Sequence, residues 1–233
     1  MDFSQLPAAE EKTAHVQAMF DAIAPRYELV NRLMTFGLDA RWRRRALKEL
    51  TLTPGAKVLD LATGTGDLSR GASALGFAAL GADLSLGMLQ ANTASAPKVQ
   101  ADVAALAFGD ASFDGLICGY ALRNFTDLQI ALTEMARVLR PGARLSLLEV
   151  CEPKQAVVKL GFNLWFRRVV PFIGGLVSDR SAYQYLPRST TYLPSTEDLV
   201  SMVEAAGFTT IKHQRLSGGL SQLLSATRSE AAS

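Results

Sequence analysis

Val58-Leu59-Asp60-Leu61-Ala62-Thr63-Gly64-Thr65-Gly66-Asp67 is the stretch that decides the fold. A short apolar run with the composition of a β-strand meets a turn of small residues, and a helical pattern follows to about Leu75. Gly64 and Gly66 permit a tight turn and let a ligand approach the backbone closely. The next apolar run, Phe77–Ala82, ends at Asp83, where a carboxylate can accept hydrogen bonds from two ribose hydroxyls. Pro97–Ala101 reads as a weaker third strand ending at Asp102. Ligands of such sheets lie outside the carboxyl ends of the strands, so the loop and both aspartates are expected on one crevice.

Outward from this stretch the alternation continues. Ser85 caps a helix from Leu86 to about Thr93, Ser112–Gly119 is a strand, Asp127–Leu139 is a helix stopped by Pro141-Gly142, and Ala143–Val150 is a strand. Ser195 or Thr196 caps a helix running to Ala206, with Gly207 at its end. Phe208–Leu216 and Leu220–Thr227 form a closing antiparallel pair joined at Gly218-Gly219. The pattern predicts a doubly wound, mainly parallel α/β sheet of seven strands. Upstream, Val16, Met19, Phe20 and Ile23 mark an amphipathic helix that Pro25 ends or bends; helices follow over Tyr27–Met34 and Asp39–Leu50, the latter with Asp39 as its N-cap. The chain reads as one domain over 1–233: a helical lid over 1–50, a core over 53–152, an apolar helical insertion within 153–195, and a closing helix and hairpin over 196–227.

Composition excludes several classes. Hydrophobic residues make up 48% and charged residues 20% of the 233, which is globular rather than disordered. A formal charge of +2 gives no reason to expect a nucleic-acid partner. Cys118 and Cys151 are too few for a disulfide framework and sit in apolar runs, as buried thiols do. His15 and His213 lie far apart and no metal-ligand spacing exists, so no metal is expected. The first residues have no basic start or apolar core, so no secretory signal is expected, and no stretch is long and apolar enough to span a bilayer. The expected location is the cytoplasm. The densest basic run, Arg41, Arg43, Arg44, Arg45 and Lys48, reads first as a solvated helix face, with an anionic surface or an acidic substrate group as the alternative.

The spacing of the glycine loop does not by itself separate two cofactors. A dinucleotide site favours G-x-G-x-x-G, and here Ser69 stands at the last position. Asp60 and Asp67 flank the loop and would repel a pyrophosphate. S-adenosylmethionine carries no phosphate, and its sulfonium and ammonium favour nearby carboxylates, so the sign of the charge favours it. A dinucleotide and an unliganded structural turn stay open as alternatives.

Three segments resemble the ubiquinone/menaquinone biosynthesis C-methyltransferase family, within the class I S-adenosylmethionine-dependent methyltransferases. They are Met19-Phe20-Asp21-Ala22-Ile23-Ala24-Pro25-Arg26-Tyr27-Glu28-Leu29-Val30-Asn31 with Phe36-Gly37 and Trp42-Arg43; the Asp60–Asp67 loop; and Ala121-Leu122-Arg123-Asn124-Phe125-Thr126-Asp127 running through Glu134 to Gly142. Ala182-Tyr183-Gln184-Tyr185-Leu186 is similar to a later family segment. Glu28 stands where the family has Asp, and Gly218-Gly219-Leu220-Ser221-Gln222-Leu223-Leu224 departs from its usual closing strand.

The resemblance implies S-adenosylmethionine held by Asp60, Thr63, Gly64, Thr65 and Gly66 of the loop, with the ribose on Asp83 beside Leu84. Asp102 and Val103 would take the adenine, and Gly119 would lie beside the methionine part. Arg123 and Asn124 follow the fourth strand, where the acceptor is expected, and read as catalytic residues, Arg123 stabilising a quinolate oxygen or holding a water and Asn124 orienting a ring oxygen, with a salt bridge or cap that shapes the loop as the alternative. Tyr27, Asn31, Tyr120, Tyr183 and Tyr185 are expected as acceptor contacts, with lid packing the alternative for Tyr27 and a half-buried aromatic pair for Tyr183 and Tyr185. The implied acceptor is a prenylated quinol, foremost demethylmenaquinol, then a methoxy-polyprenyl-benzoquinol or another small lipophilic molecule; a non-catalytic S-adenosylmethionine-binding subunit is the reading from another class. The apolar stretch Leu160–Val177 suits a tunnel for the isoprenoid tail or a peripheral contact at the inner face of the cell membrane as well as it suits a homodimer surface or core packing.

Overall fold

The computed structural model describes residues 3, 6–151, 153, 165 and 180–230. Seven strands form one sheet: β1 (Lys57–Leu61), β2 (Ala78–Asp83), β3 (Lys98–Gln100), β4 (Phe113–Gly119), β5 (Leu139–Val150), β6 (Phe208–Leu216) and β7 (Ser221–Arg228). Their order is β3-β2-β1-β4-β5-β7-β6. The β3–β2, β2–β1, β1–β4 and β4–β5 pairs are parallel, and β7 runs antiparallel to both β5 and β6. The chain reverses direction across the sheet between β1 and β4, and there the loops after both strands leave a crevice.

The helices between the strands are α4 (Asp67–Ala74), α5 (Leu86–Ala91) and α6 (Leu128–Val138), with α8 (Thr196–Ala205) before β6. Local chemistry starts three of these four: Ser85, Asp127 and Ser195 each accept a backbone N–H from the first turn, at Met88, Ile130 and Asp198. Strand β5 is longer than the sequence indicates. The helix ends at Val138 and the chain pairs from Leu139 onward, leaving Pro141 and Gly142 exposed within the strand's first half. Buried apolar side chains pack on both faces of the sheet, Leu116, Leu132, Met135 and Leu145 on one side and Val58, Leu47, Ala72 and Ile117 on the other.

Before β1 come α1 (Lys12–Ile23), α2 (Tyr27–Thr35) and α3 (Leu38–Glu49). Val16, Met19 and Ile23 are buried, in a separate cluster with Val30, Met34, Met88 and Tyr185, so the N-terminal helices have their own small core. Phe20 leaves that stripe and is only half-buried. Asp39 does not cap α3: Gly37 holds the N-cap position in the left-handed region, and Asp39 lies inside the first turn, buried. Its oxygens accept from Thr35 Oγ1 at 2.8 Å and from Asn31 Nδ2 at 3.3 Å. Cys118 is fully buried, but Cys151 is only partly so, contrary to the expectation from its apolar neighbours. Of the segment 153–195, Pro153, Trp165 and residues 180–195 are described, the last including α7 (Arg180–Ser189); the apolar stretch Leu160–Val177 otherwise lies outside the described residues.

Candidate active site

The glycine loop is built around a buried carboxylate. Asp60 ends β1's inward-facing run with no exposed surface, and one of its oxygens accepts from both Thr63 Oγ1 and Ser69 Oγ at 2.7 Å. Its other oxygen, Oδ1, is buried and has no partner among the described residues. Burial raises the carboxyl to about 6, against the pull of the two hydroxyls and of Arg43. Ala62 after β1 and Tyr120 after β4 both adopt left-handed backbone, φ 55° and 62°, which for residues with a Cβ stores strain of about 1–3 kcal/mol each at the rim of the crevice. Gly66, at φ 90°, has no alternative: a Cβ there would lie 2.3 Å from Asn92 Oδ1.

The loop also fixes Asp83. Gly64 N–H donates to its Oδ2 and Ser85 N–H to its Oδ1, each at 2.8 Å. These bonds leave lone pairs on both oxygens for a bidentate partner. Burial nonetheless holds the carboxyl above its ordinary range. Asp102 lies two residues past β3, exposed, and accepts from Ala104 N–H at 2.9 Å.

A cavity of ≈370 Å³ joins these groups, a volume suited to one cofactor-sized ligand. Of the residues implied for the cofactor, Thr63, Gly64, Thr65, Asp83, Leu84, Asp102, Val103 and Gly119 line it, while Asp60 and Gly66 stand behind the loop. Of those implied for the acceptor and the chemistry, Tyr27, Tyr120 and Asn124 line it, and Arg123, Asn31 and Tyr185 do not. Asn31 is engaged with Asp39. Tyr185 is fully buried, its phenol pushed up to about 12 by burial, and its hydroxyl reaches Asn124 Oδ1 at 3.4 Å. Tyr183 falls on α7, and its side chain lies outside the described part. The Arg123 guanidinium is buried in an ion pair with Glu149, at the end of β5; it also donates to Ser189 Oγ at 3.1 Å and to the Tyr120 carbonyl at 2.8 Å.

Helix α1 closes the cavity from above with Thr13, Val16, Gln17 and Phe20. Both ends of the helix are latched to the core. Asp21 Oδ1 accepts from Ser85 Oγ at 2.5 Å and Gly87 N–H at 2.8 Å; Lys12 Nζ donates to the Phe125 carbonyl at 2.7 Å, and Thr13 pairs with Thr126 at 2.8 Å. Phe20 meets the Tyr27 ring edge to face at 6.1 Å. Burial raises the Tyr27 phenol above its ordinary range, opposed by Arg43 and Arg123.

Arg43 departs from the solvated helix face first expected of its basic run. Of the five basic residues on α3 it alone is turned inward, onto the cavity wall, and it pairs with Asp67 and with Asp39, the latter at 3.6 Å. The spacing of four from Asp39 was a local signal for one of these contacts; Asp67, 24 residues on, gave none. Sequence reading missed Glu149 and Ser69, because each acts on a residue brought near only by the fold.

The site suits a ligand that carries positive charge near the glycine loop. Buried carboxylates surround the loop, one of them with an unpaired oxygen, and no lining group would hold a pyrophosphate by a cluster of cations. Among the described residues no group of three or more His, Cys, Asp or Glu side chains is placed to hold a metal, and no helix is long and apolar enough to cross a membrane.

Comparison with known proteins agrees with this geometry. The profile of the ubiE/COQ5 methyltransferase family matches residues 8–228. A protein of Thermus thermophilus named demethylmenaquinone methyltransferase is 43% identical over 216 residues, covering 88% of this chain and 97% of its own. A ubiquinone/menaquinone biosynthesis C-methyltransferase UbiE of Syntrophotalea carbinolica is 40% identical over 223 residues, covering 91% and 93%. A solved S-adenosylmethionine-dependent methyltransferase of Thermotoga maritima shares the fold with a TM-score of 0.65 at 19% identity, covering 92% of this chain and 100% of its own. The chain therefore belongs to the ubiE/COQ5 methyltransferase family, and is an S-adenosylmethionine-dependent methyltransferase.

Proposed function

We propose that the protein methylates a ring carbon of a prenylated hydroquinone, with demethylmenaquinol as the acceptor. One observation carries the proposal: the cavity wall is mixed in a way that suits such a ring. Val16, Phe20, Leu68, Met88, Phe125 and Ile130 give it apolar surface, and Tyr27 and Asn124 are polar groups able to orient ring oxygens. The names of the two relatives, each concerned with quinone methylation, support the same reading.

When bound, S-adenosylmethionine supplies an electrophilic methyl group on a sulfonium. The chain's own residues do the rest. Asp83, held by Gly64 and Ser85, positions the ribose. The apolar wall excludes water and keeps the ring carbon facing the methyl, where alignment is the larger part of catalysis. A quinol ring carbon becomes nucleophilic as a neighbouring hydroxyl gives its proton to solvent, and after methylation the ring regains aromaticity by losing its C–H proton and recovering the hydroxyl, a net release of one proton. Tyr27, its phenol raised by burial, keeps its proton at neutral pH and so donates to the developing quinolate oxygen. Asn124 Nδ2 is placed for a second contact, since Tyr185 engages Oδ1. Arg123 acts as a positioning residue: through Glu149, Ser189 and the Tyr120 carbonyl it fixes the Tyr120–Asn124 loop, and its own charge is already paired.

The test offers reduced demethylmenaquinone and a methoxy-polyprenyl-benzoquinol, separately and without oxygen, with an isotope-labelled methyl donor; mass spectrometry then locates the label. Label on the naphthoquinol ring carbon is expected. Label confined to the benzoquinol reassigns the acceptor, and label on neither overturns the proposal.

A further inference from the structure

Among the described residues lining the cavity, Arg43 is the one cationic side chain. Its place follows from the sheet. Asp102 lies past β3 and Asp83 ends β2, so a donor with its adenine and ribose on these carboxylates extends along the order β3-β2-β1-β4. Its aminoacyl end then arrives over the ends of β1 and β4. Arg43 stands there, paired with Asp67 just after the glycine loop and packed over the Tyr120 ring at 5.8 Å, one residue past β4. The guanidinium is held in place, by Asp67 and by Asp39, which Asn31 and Thr35 hold in turn. Its Nε is buried with no partner among the described residues, an N–H kept from water and not used by the protein.

We propose that Arg43 binds the α-carboxylate of the methyl donor. The donor's sulfonium and ammonium match the surrounding carboxylates, but its carboxylate does not, and burial beside Asp67 without a cation would repel it. The fork of a guanidinium answers that one negative group while its remaining N–H bonds keep Asp67 and Asp39 satisfied. This assignment concerns the donor alone and holds whatever the acceptor is.

The test is calorimetric titration with S-adenosylmethionine and with decarboxylated S-adenosylmethionine, which differ by that carboxylate, against wild type, Arg43→Gln and Arg43→Lys. Wild type is expected to prefer the carboxylated donor by at least about tenfold, the gain of a charge-assisted contact. Arg43→Gln should shrink the preference to within about twofold while the decarboxylated ligand binds at least as tightly as to wild type, and Arg43→Lys should fall between. Binding of the decarboxylated ligand reports that the cavity is intact. Equal affinity of wild type for both ligands overturns the assignment without any variant. A preference unchanged in Arg43→Gln, or in Arg43→Lys should the first variant not fold, does so as well.

Discussion

At the scale of single residues, the site rests on carboxylates with different duties. Asp83 has backbone donors on each oxygen and faces the cavity, so Asp83→Ala is expected to lose about 1.5–3 kcal/mol of S-adenosylmethionine binding, read by calorimetry; unchanged affinity in the folded variant would remove it from the ribose. Asp60 is buried and its carboxyl is raised from 3.8 to about 6. The folded state therefore holds this proton more tightly than the unfolded chain does, and stability falls as pH rises through that window and stays lowered above it. The interval corresponds to about 3 kcal/mol. Asp60→Asn should recover much of that at pH 7 and little at pH 4, measured by urea unfolding across the range; an equal difference at both ends would show that Asp60 does not titrate there. Arg123 and Glu149 are 6% and 1% exposed, and removing one partner strands the other. Arg123→Ala should thus cost about 3–5 kcal/mol of stability as well as turnover. Full stability with lost turnover would instead place Arg123 at the reacting atoms.

At the scale of elements, what was legible in the sequence is what local chemistry decides. Strands β1, β2 and β4 are short apolar runs bounded by small or acidic residues, and Ser85, Asp127 and Ser195 announce their helices because a cap needs only its own first turn. The errors have two sources, a competing local geometry and a distant partner. Asp39 has the composition of a cap, but Gly37 takes the left-handed turn before α3 and Asp39 turns inward to Thr35 and Asn31. Asn31 is thereby drawn away from the cavity. Arg43 sits in a run that reads as solvated, and Asp67 across the fold joins Asp39 in holding it turned inward. Helix α1 was legible as amphipathic, but its role as a cover depends on latches to α5 and to the loop before α6, which no periodicity records. Asp21→Ala removes the Ser85 and Gly87 bonds and should speed amide exchange in α1 and raise the donor's off-rate several-fold; exchange and off-rate equal to wild type would mean that the apolar face of α1 suffices to hold it.

At the scale of the whole molecule, the order of the strands does most to make the site. The parallel strands β3, β2, β1 and β4 point their carboxyl ends at one crevice, so an extended ligand lying along that order would meet Asp102, Asp83 and the glycine loop in turn. The N-terminal helices, with a small core of their own, cover that crevice and bring Tyr27 and Arg43 into it. The most direct test is a crystal structure with S-adenosylhomocysteine and a short-chain naphthoquinol bound together. The account predicts ribose hydroxyls on Asp83, adenine beside Asp102 and Val103, and the quinol ring between the donor's sulfur, Tyr27 and Asn124. A nucleoside bound in another orientation, or a ring seated outside the cover formed by α1, would contradict it.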